Sequence, residues 1–267
     1  MIIYAIYRMY YGEDFIEASI KSIYNHVEKI FVFAPNAAYG NVFIGRVDKS
    51  LEIVQDIYDP DKKIIVIKNE EYTFIPKNQF TDLYNTYIYK TYPEPGAVMT
   101  IEHDMIWEKK YLSAFIQEFN KRNCLCMNSG LIEFWHNNEW MIPFRNRNNC
   151  ILDRLKGGMM YKTRFSGDIH GSMDQSDYPV YNYGLCMKPV NMKMKCDLGI
   201  KFANIIQDSI PYENWFEEVW YRWDPDCNNM NLEISINYRH YIPYAYRADV
   251  RTLEVLKDHE WNPGVFI

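Results

Sequence analysis

Four short apolar runs punctuate the first hundred residues, each followed by a longer amphipathic stretch. The runs are IIYAIY (2–7), KIFVFA (29–34), KIIVI (63–67) and AVMTI (97–101). They are rich in β-branched and aromatic residues, and they are too short for core helices. They read as strands buried on both faces. Between them lie helical patterns. Asp14 is placed to cap a helix running to about Asn25, with Phe15, Ile16, Ile20 and Ile23 on one face. Residues 47–57 make a second helix, which Asp59-Pro60-Asp61 ends. Residues 76–91 make a third, with Pro76 in its first turn, and residues 108–121 make a fourth. Repeated strand–helix–strand units imply a parallel sheet with right-handed crossovers. The expected fold class is therefore α/β: a Rossmann-like, mostly parallel sheet flanked by helices, with a C-terminal helical and loop elaboration.

In such sheets a ligand sits outside the carboxyl ends of the strands. The fourth run delivers Glu102-His103-Asp104 to that edge. The second half of the chain is less regular. Residues 129–135 read as a strand, and 143–182 as loops around a site, because they are rich in Arg, Asn, Gly and Asp. Helices are expected at 189–205 and at the Trp-rich 212–223. No internal repeat or linker interrupts the chain, so residues 1–267 read as one domain.

Charge narrows the partners. A net charge of −6 offers no overall positive field for a polyanion, which argues against nucleic acid. No apolar run approaches the roughly 20 residues of a transmembrane helix. The opening MIIYAIYRMYYGED lacks a basic leader and reads as a strand, not a signal peptide. The six cysteines contain no CxxC pair. Cys124 and Cys126 form a CxC without two further zinc ligands at suitable spacing, so reduced thiols in a cytoplasmic compartment are expected.

The segment TIEHDMIWEKKYL (100–112) carries the most chemistry. Two carboxylates one residue apart, at the end of a buried strand, put hard oxygen donors near one point. That suits Mg²⁺ or Mn²⁺ shared with phosphate oxygens. The same two acids could equally cap the helix beginning at 108.

With this motif the chain resembles the GT-A glycosyltransferases, particularly the family 2-like nucleotide-sugar enzymes, whose DxD motif ends the equivalent strand. RMYYGEDFIEASIKSIYNHVEKIFVF (8–33) resembles the family's opening strand, loop, helix and strand. VYNYGLCMKPVNMKMK (180–195) resembles a late family segment, and SGDIHGS (166–172) sits upstream of it where relatives carry a short His-Glu string. Three positions depart from the pattern. Glu102 replaces the first Asp, Asn182 stands where relatives often have His, and PNAAYGNVFIGRVDKS (35–50) replaces the usual loop after the second strand.

The resemblance implies a GT-A fold and a metal-dependent, inverting transfer from a nucleotide-sugar donor to a glycan or other hydroxyl acceptor, with Mn²⁺ or Mg²⁺ as cofactor. Residues 1–122 become the nucleotide-sugar-binding half and 123–267 the acceptor side. Asp104 is the implied direct metal ligand, with Glu102 as a second ligand or a ribose contact and His170 as a third ligand or a diphosphate contact. Arg8, Asn69, Glu102 and Lys188 are candidates for holding the nucleotide. One of Asp168, Asp174 and Asp177 is the implied general base. Each also has an ordinary reading: loop acids cap turns, Arg8 suits an ion pair, and Lys188 and Lys193 suit a solvated helix face. Trp215, Trp220 and Trp223 fit core packing better than a sugar platform. Two other functions share these features. One is a catalytically silent sugar-binding protein of the same fold. The other is a sugar nucleotidyltransferase, which would carry a Gly-rich basic loop after the first strand.

Overall fold

A computed structural model describes residues 1–9, 11–34, 49–68, 84–89, 91–92, 95–122, 124–142, 151–155, 174–206, 215–223, 246–247 and 253–257. Among these the strands are β1 (Ile3–Arg8), β2 (Lys29–Ala34), β3 (Ile64–Lys68), β4 (Ala97–Glu102), β5 (Met105–Ile106), β6 (Cys126–Trp135), β7 (Asn137–Ile142), β8 (Ile151–Arg154), β9 (Asp174–Leu185) and β10 (Tyr246–Arg247). The α-helices are α1 (Ile16–Ile23), α2 (Ser50–Asp56), α3 (Lys109–Arg122) and α4 (Pro189–Ile206). Short π-helical turns occupy Tyr84–Ile88 and Phe216–Tyr221.

The chain divides into two compact units. The first contains β1 to β5, α1 to α3, β8, and the opening parts of β6 (to Leu131) and β9 (to Val180). Its strand order is β6-β8-β4-β1-β2-β3. The four expected strands pair in parallel, β3 with β2, β2 with β1, and β1 with β4. Beyond β4 the ladder turns antiparallel: β8 pairs with β4 and with β6. The second unit contains the end of β6, β7, the end of β9, α4 and the C-terminal elements. In it β7 lies antiparallel to both β6 and β10.

Strand alternation gives the parallel sheet two apolar faces. Ile3, Ala5, Tyr7, Ile30, Val32, Ala97, Met99 and Ile101 pack with Ile16, Ile20 and Ile23 of α1, Val54 of α2, and Leu112, Phe115 and Phe119 of α3. Tyr4, Ile6, Phe31, Phe33 and Val98 pack on the other face with Tyr84 and Ile88. Burial on both faces is why these runs are continuously hydrophobic rather than alternating.

Several local expectations change. Asp14 does not cap α1; Phe15 holds that position without a side-chain cap. Asp59 does more than stop α2, because its carboxylate accepts the Lys63 and Ile64 amides and the Tyr24 hydroxyl. Residues 151–154 and 174–185 are strands, not loops. Their polar residues misled because an antiparallel ladder is held by backbone groups, and only part of each strand faces a core. Of the helix expected at 76–91, the described part is the π-helical turn at Tyr84–Ile88. The helix expected at 212–223 is, over Phe216–Tyr221, a π-helical turn. No described helix is long and apolar enough to cross a membrane.

Candidate active site

β1 and β4 are neighbours in register, and the last pair of that register is Arg8 with Glu102. Alternation places both on the face that carries Tyr4, Ile6 and Val98, at the carboxyl edge of the sheet. Arg8 Nη2 donates to Glu102 Oε1 at 3.1 Å. The Arg8 side chain is 10% exposed and that of Glu102 26%, so the pair is shielded but reachable from solvent. The chain then turns through His103 and Asp104 into β5. Asp104 is buried, and its Oδ2 lies 4.0 Å from His103 Nε2.

Helix α1 holds this turn from beneath. Ser19 Oγ donates to the Met105 carbonyl at 2.5 Å, and the Tyr7 hydroxyl lies 3.0 Å from the same Oγ. One helical turn later Ser22 Oγ accepts the Trp107 amide at 3.1 Å and donates to the Ser19 carbonyl at 2.7 Å. The loop after β1 closes the other side. Gly12 packs so tightly that a Cβ there would lie 3.0 Å from the His103 side chain. Its amide donates to Ser50 Oγ at the start of α2, 2.7 Å away. In the same loop Tyr11 is buried with φ of 47°, a conformation rare outside glycine.

The structure pairs Arg8 with Glu102 and puts Asp104 two residues further on, in the turn after β4. It places Asp174 elsewhere. Arg122 at the end of α3 reaches Asp174 at 3.6 Å and also pairs with Glu118, which accepts the Ser176 hydroxyl. This network forms where α3 returns to the start of β6, beside the beginning of β4, at the opposite edge from Glu102. Asp177 is exposed on β9. In the second unit, Lys188 is exposed just before α4, and the Asn182 side-chain oxygen accepts the Gly184 amide. Asn69, Asp168 and His170 lie outside the described residues. Among the described residues no three His, Cys, Asp or Glu side chains gather into a metal-binding group.

Thiol chemistry is quiet in the described part of the chain. Cys124, Cys126, Cys186 and Cys196 are free thiols. Burial pushes the Cys124 thiol up and that of Cys196 up to about 12, which keeps both protonated at neutral pH.

Sequence reasoning missed three groups. Ser19 and Ser22 looked like ordinary helix residues, although two serines three apart on the buried face of α1 were a readable signal. Asp153 in β8 is buried between β4 and β6, and desolvation raises its carboxyl to about 7. His136, with φ of 64°, stacks on Trp220 at 4.2 Å and Trp223 at 5.0 Å. Its Nε2 lies 2.7 Å from the Trp220 carbonyl, and burial lowers its pKa to about 4. Trp215, Trp220 and Trp223 are all buried, so they are core residues here.

No family model matches the chain, and no curated protein matches it either. Solved structures similar to it include Staphylococcus aureus TarS, residues 1–349, in complex with UDP. There the identity is 12%, the TM-score is 0.44, and the match covers 76% of this chain and 66% of that one. The same TarS fragment in complex with UDP-GlcNAc matches at 15% identity and a TM-score of 0.37, over 50% of this chain and 35% of that one. The inositol-1-phosphate CTP transferase of T. maritima matches at 9% identity and a TM-score of 0.37, over 73% and 95%. The chain thus spans between about a third and two thirds of these two TarS structures.

Proposed function

We propose that this chain is a GT-A-type transferase that moves a sugar from a nucleotide-sugar donor to a glycan or other hydroxyl acceptor. The observation that carries the reading is the Arg8–Glu102 pair at the carboxyl ends of two adjacent parallel strands, followed directly by the braced turn holding Asp104. This is the edge where open α/β sheets bind nucleotides.

Arg8 presents a planar, permanently charged donor set that suits a diphosphate oxygen. Glu102 orients that guanidinium and can accept a ribose hydroxyl. The carboxylates of Asp104 and Glu102 fit a hard divalent cation, since Mg²⁺ commonly takes one or two protein carboxylates and completes its shell with phosphate and water. Asp104 and Glu102 would hold Mn²⁺ or Mg²⁺, which would supply positive charge to the departing diphosphate. The acceptor hydroxyl would pass its proton to a carboxylate, for which Asp168 and Asp177 are the candidates because Asp174 is engaged by Arg122.

A second reading, a silent sugar-binding protein, is favoured by one observation: Glu102 is already committed to Arg8. Calorimetric titration with uridine, guanosine, cytidine and thymidine diphosphates, with and without Mn²⁺, separates the two. The transferase reading expects one nucleotide to bind with Mn²⁺, and Asp104→Asn to weaken that binding about a hundredfold or more, the order expected for removing a group that meets charge directly. Failure of every nucleotide to bind the unmodified chain, together with retention of a glycan on an array, would establish the silent reading instead.

A further inference from the structure

The turn that carries Asp104 is held by two chains of hydrogen bonds that both run through α1. In the first, Ser19 gives its single proton to the Met105 carbonyl, so the Tyr7 hydroxyl must be the donor to Ser19 Oγ. In the second, the Trp107 amide donates to Ser22 Oγ, which donates to the Ser19 carbonyl. Ser19 Oγ also lies 3.4 Å from the Glu102 carbonyl, so one hydroxyl touches the backbone on both sides of Asp104. Ser19 is fully buried and Ser22 nearly so. Trp107, buried and stacked on Phe115 at 5.1 Å, anchors the far end of the turn against α3.

These bonds are more than helix packing requires. A serine inside a helix usually bonds back to its own helix or points to water. Ser22 does bond back, while Ser19 sends its proton out to a different segment. Removing the Ser19 hydroxyl would leave the Met105 carbonyl without that donor in a dry place. The cheapest relief is movement of the turn itself, and with it of Asp104.

We propose that Ser19 is a positioning residue for the candidate site: relayed from Tyr7, its hydroxyl fixes the Glu102–Trp107 turn and so sets where the Asp104 carboxylate is presented. The inference rests on the nucleotide-binding reading for its consequence, but the fixing of the turn can be measured by itself. Val54→Ala provides a control. It removes bulk from the same core on α2 without touching the turn.

Hydrogen exchange followed by mass spectrometry on peptides covering 102–107 should show exchange about tenfold faster in Ser19→Ala than in the unmodified chain or in Val54→Ala, as expected for loss of one buried hydrogen bond. Mn²⁺-dependent nucleoside diphosphate binding should weaken about tenfold in Ser19→Ala, change little in Val54→Ala, and recover in Ser19→Thr, which restores a hydroxyl. Tyr7→Phe removes only the far end of the relay and should give a smaller loss in both measurements. It also serves if Ser19→Ala fails to fold. Exchange in 102–107 that is unchanged in both Ser19→Ala and Tyr7→Phe would overturn the proposal, as would nucleotide binding that falls equally in Val54→Ala. If the unmodified chain binds no nucleotide, the functional reading fails, and the exchange measurement still decides the role of Ser19.

Discussion

The carboxyl edge of the parallel sheet and the tryptophan cluster of the second unit treat a charged group in opposite ways. At the sheet edge Arg8 and Glu102 form a partly exposed ion pair, with the next turn held by hydroxyls and backbone amides. In the second unit His136 is enclosed by Trp220 and Trp223, and Trp140 and Trp215 pack onward from Trp223 and Trp135. The histidine there is held neutral by burial and donates one hydrogen bond to a carbonyl. The sheet edge keeps a charged pair within reach of solvent. A site that only has to pack removes the charge. The lesson is that aromatic richness and the candidate site are separable in this chain: the tryptophans build a core, and the residues proposed for chemistry lie where aromatic residues give way to Arg, Glu, Asp and Ser.

The largest effect expected is on the aromatic cluster. Trp220 stacks on His136 and Phe216, and its indole donates to the Leu185 carbonyl at 2.9 Å. Trp220→Ala should cost about 4 kcal/mol, the range for emptying a buried aromatic site. Denaturant titration followed by tryptophan fluorescence measures this. A loss below about 1 kcal/mol would mean that the stack is not a packed core.

Acidity sharpens the contrast, because the two units carry buried groups shifted in opposite senses. Asp153 in the first unit has its carboxyl raised from 3.8 to about 7 by desolvation. The folded state therefore holds a proton that the unfolded state has released, and stability falls as pH rises from about 4 to 7. The loss is on the order of 4 kcal/mol, complete above that window and absent below it. Asp153→Asn should remove this slope and stabilise the protein most at pH 8.

His136 behaves inversely. Its pKa falls from 6.5 to about 4 through burial, so the unfolded state protonates first as pH drops. Stability is intact above pH 6.5 and decreases through the window from 6.5 to 4 by about 3 kcal/mol. Calorimetry across pH 4–8 reads both slopes. If the units melt separately, the first should gain stability in mild acid while the second loses it. If they melt as one, the slopes nearly offset in the unmodified chain, and Asp153→Asn should unmask the acid loss caused by His136.

The smallest effect belongs to the ion pair. Glu102→Gln keeps an acceptor for Arg8 and loses the charge, so stability should change by no more than about 1 kcal/mol at low salt and less at high salt. Thermal melting at two ionic strengths tests it. A larger loss that salt does not reduce would mean that the pair behaves as a dry structural element.

Much of the parallel sheet could be read directly. Runs such as KIFVFA and AVMTI have no polar face to offer, so only a strand covered on both sides accommodates them. α3 was equally plain because Leu112, Phe115 and Phe119 repeat at helical spacing. β9 was not legible: DQSDYPVYNYGL alternates poorly, and its pairing with β5 and β6 is made through backbone groups that every residue possesses. Of the site, the E-x-D at the strand end was visible because two acids two positions apart are a local pattern that needs no fold to be read. The partnership of Glu102 with Arg8, 94 residues away, needed the β1–β4 register.

What the amino-acid sequence determined alone is therefore the local part: strand and helix periods, and the carboxylates at the end of β4. What the tertiary structure decided is every relation across long separations. It paired Arg8 with Glu102, drew Asp174 into an ion pair with Arg122, sealed His136 between tryptophans, and turned the serines of α1 toward the acidic turn. The physical reason is the range of the forces involved. Propensity and periodicity act between residues a few positions apart, whereas hydrogen bonds, ion pairs and desolvation depend on distances that exist only once the chain has closed on itself.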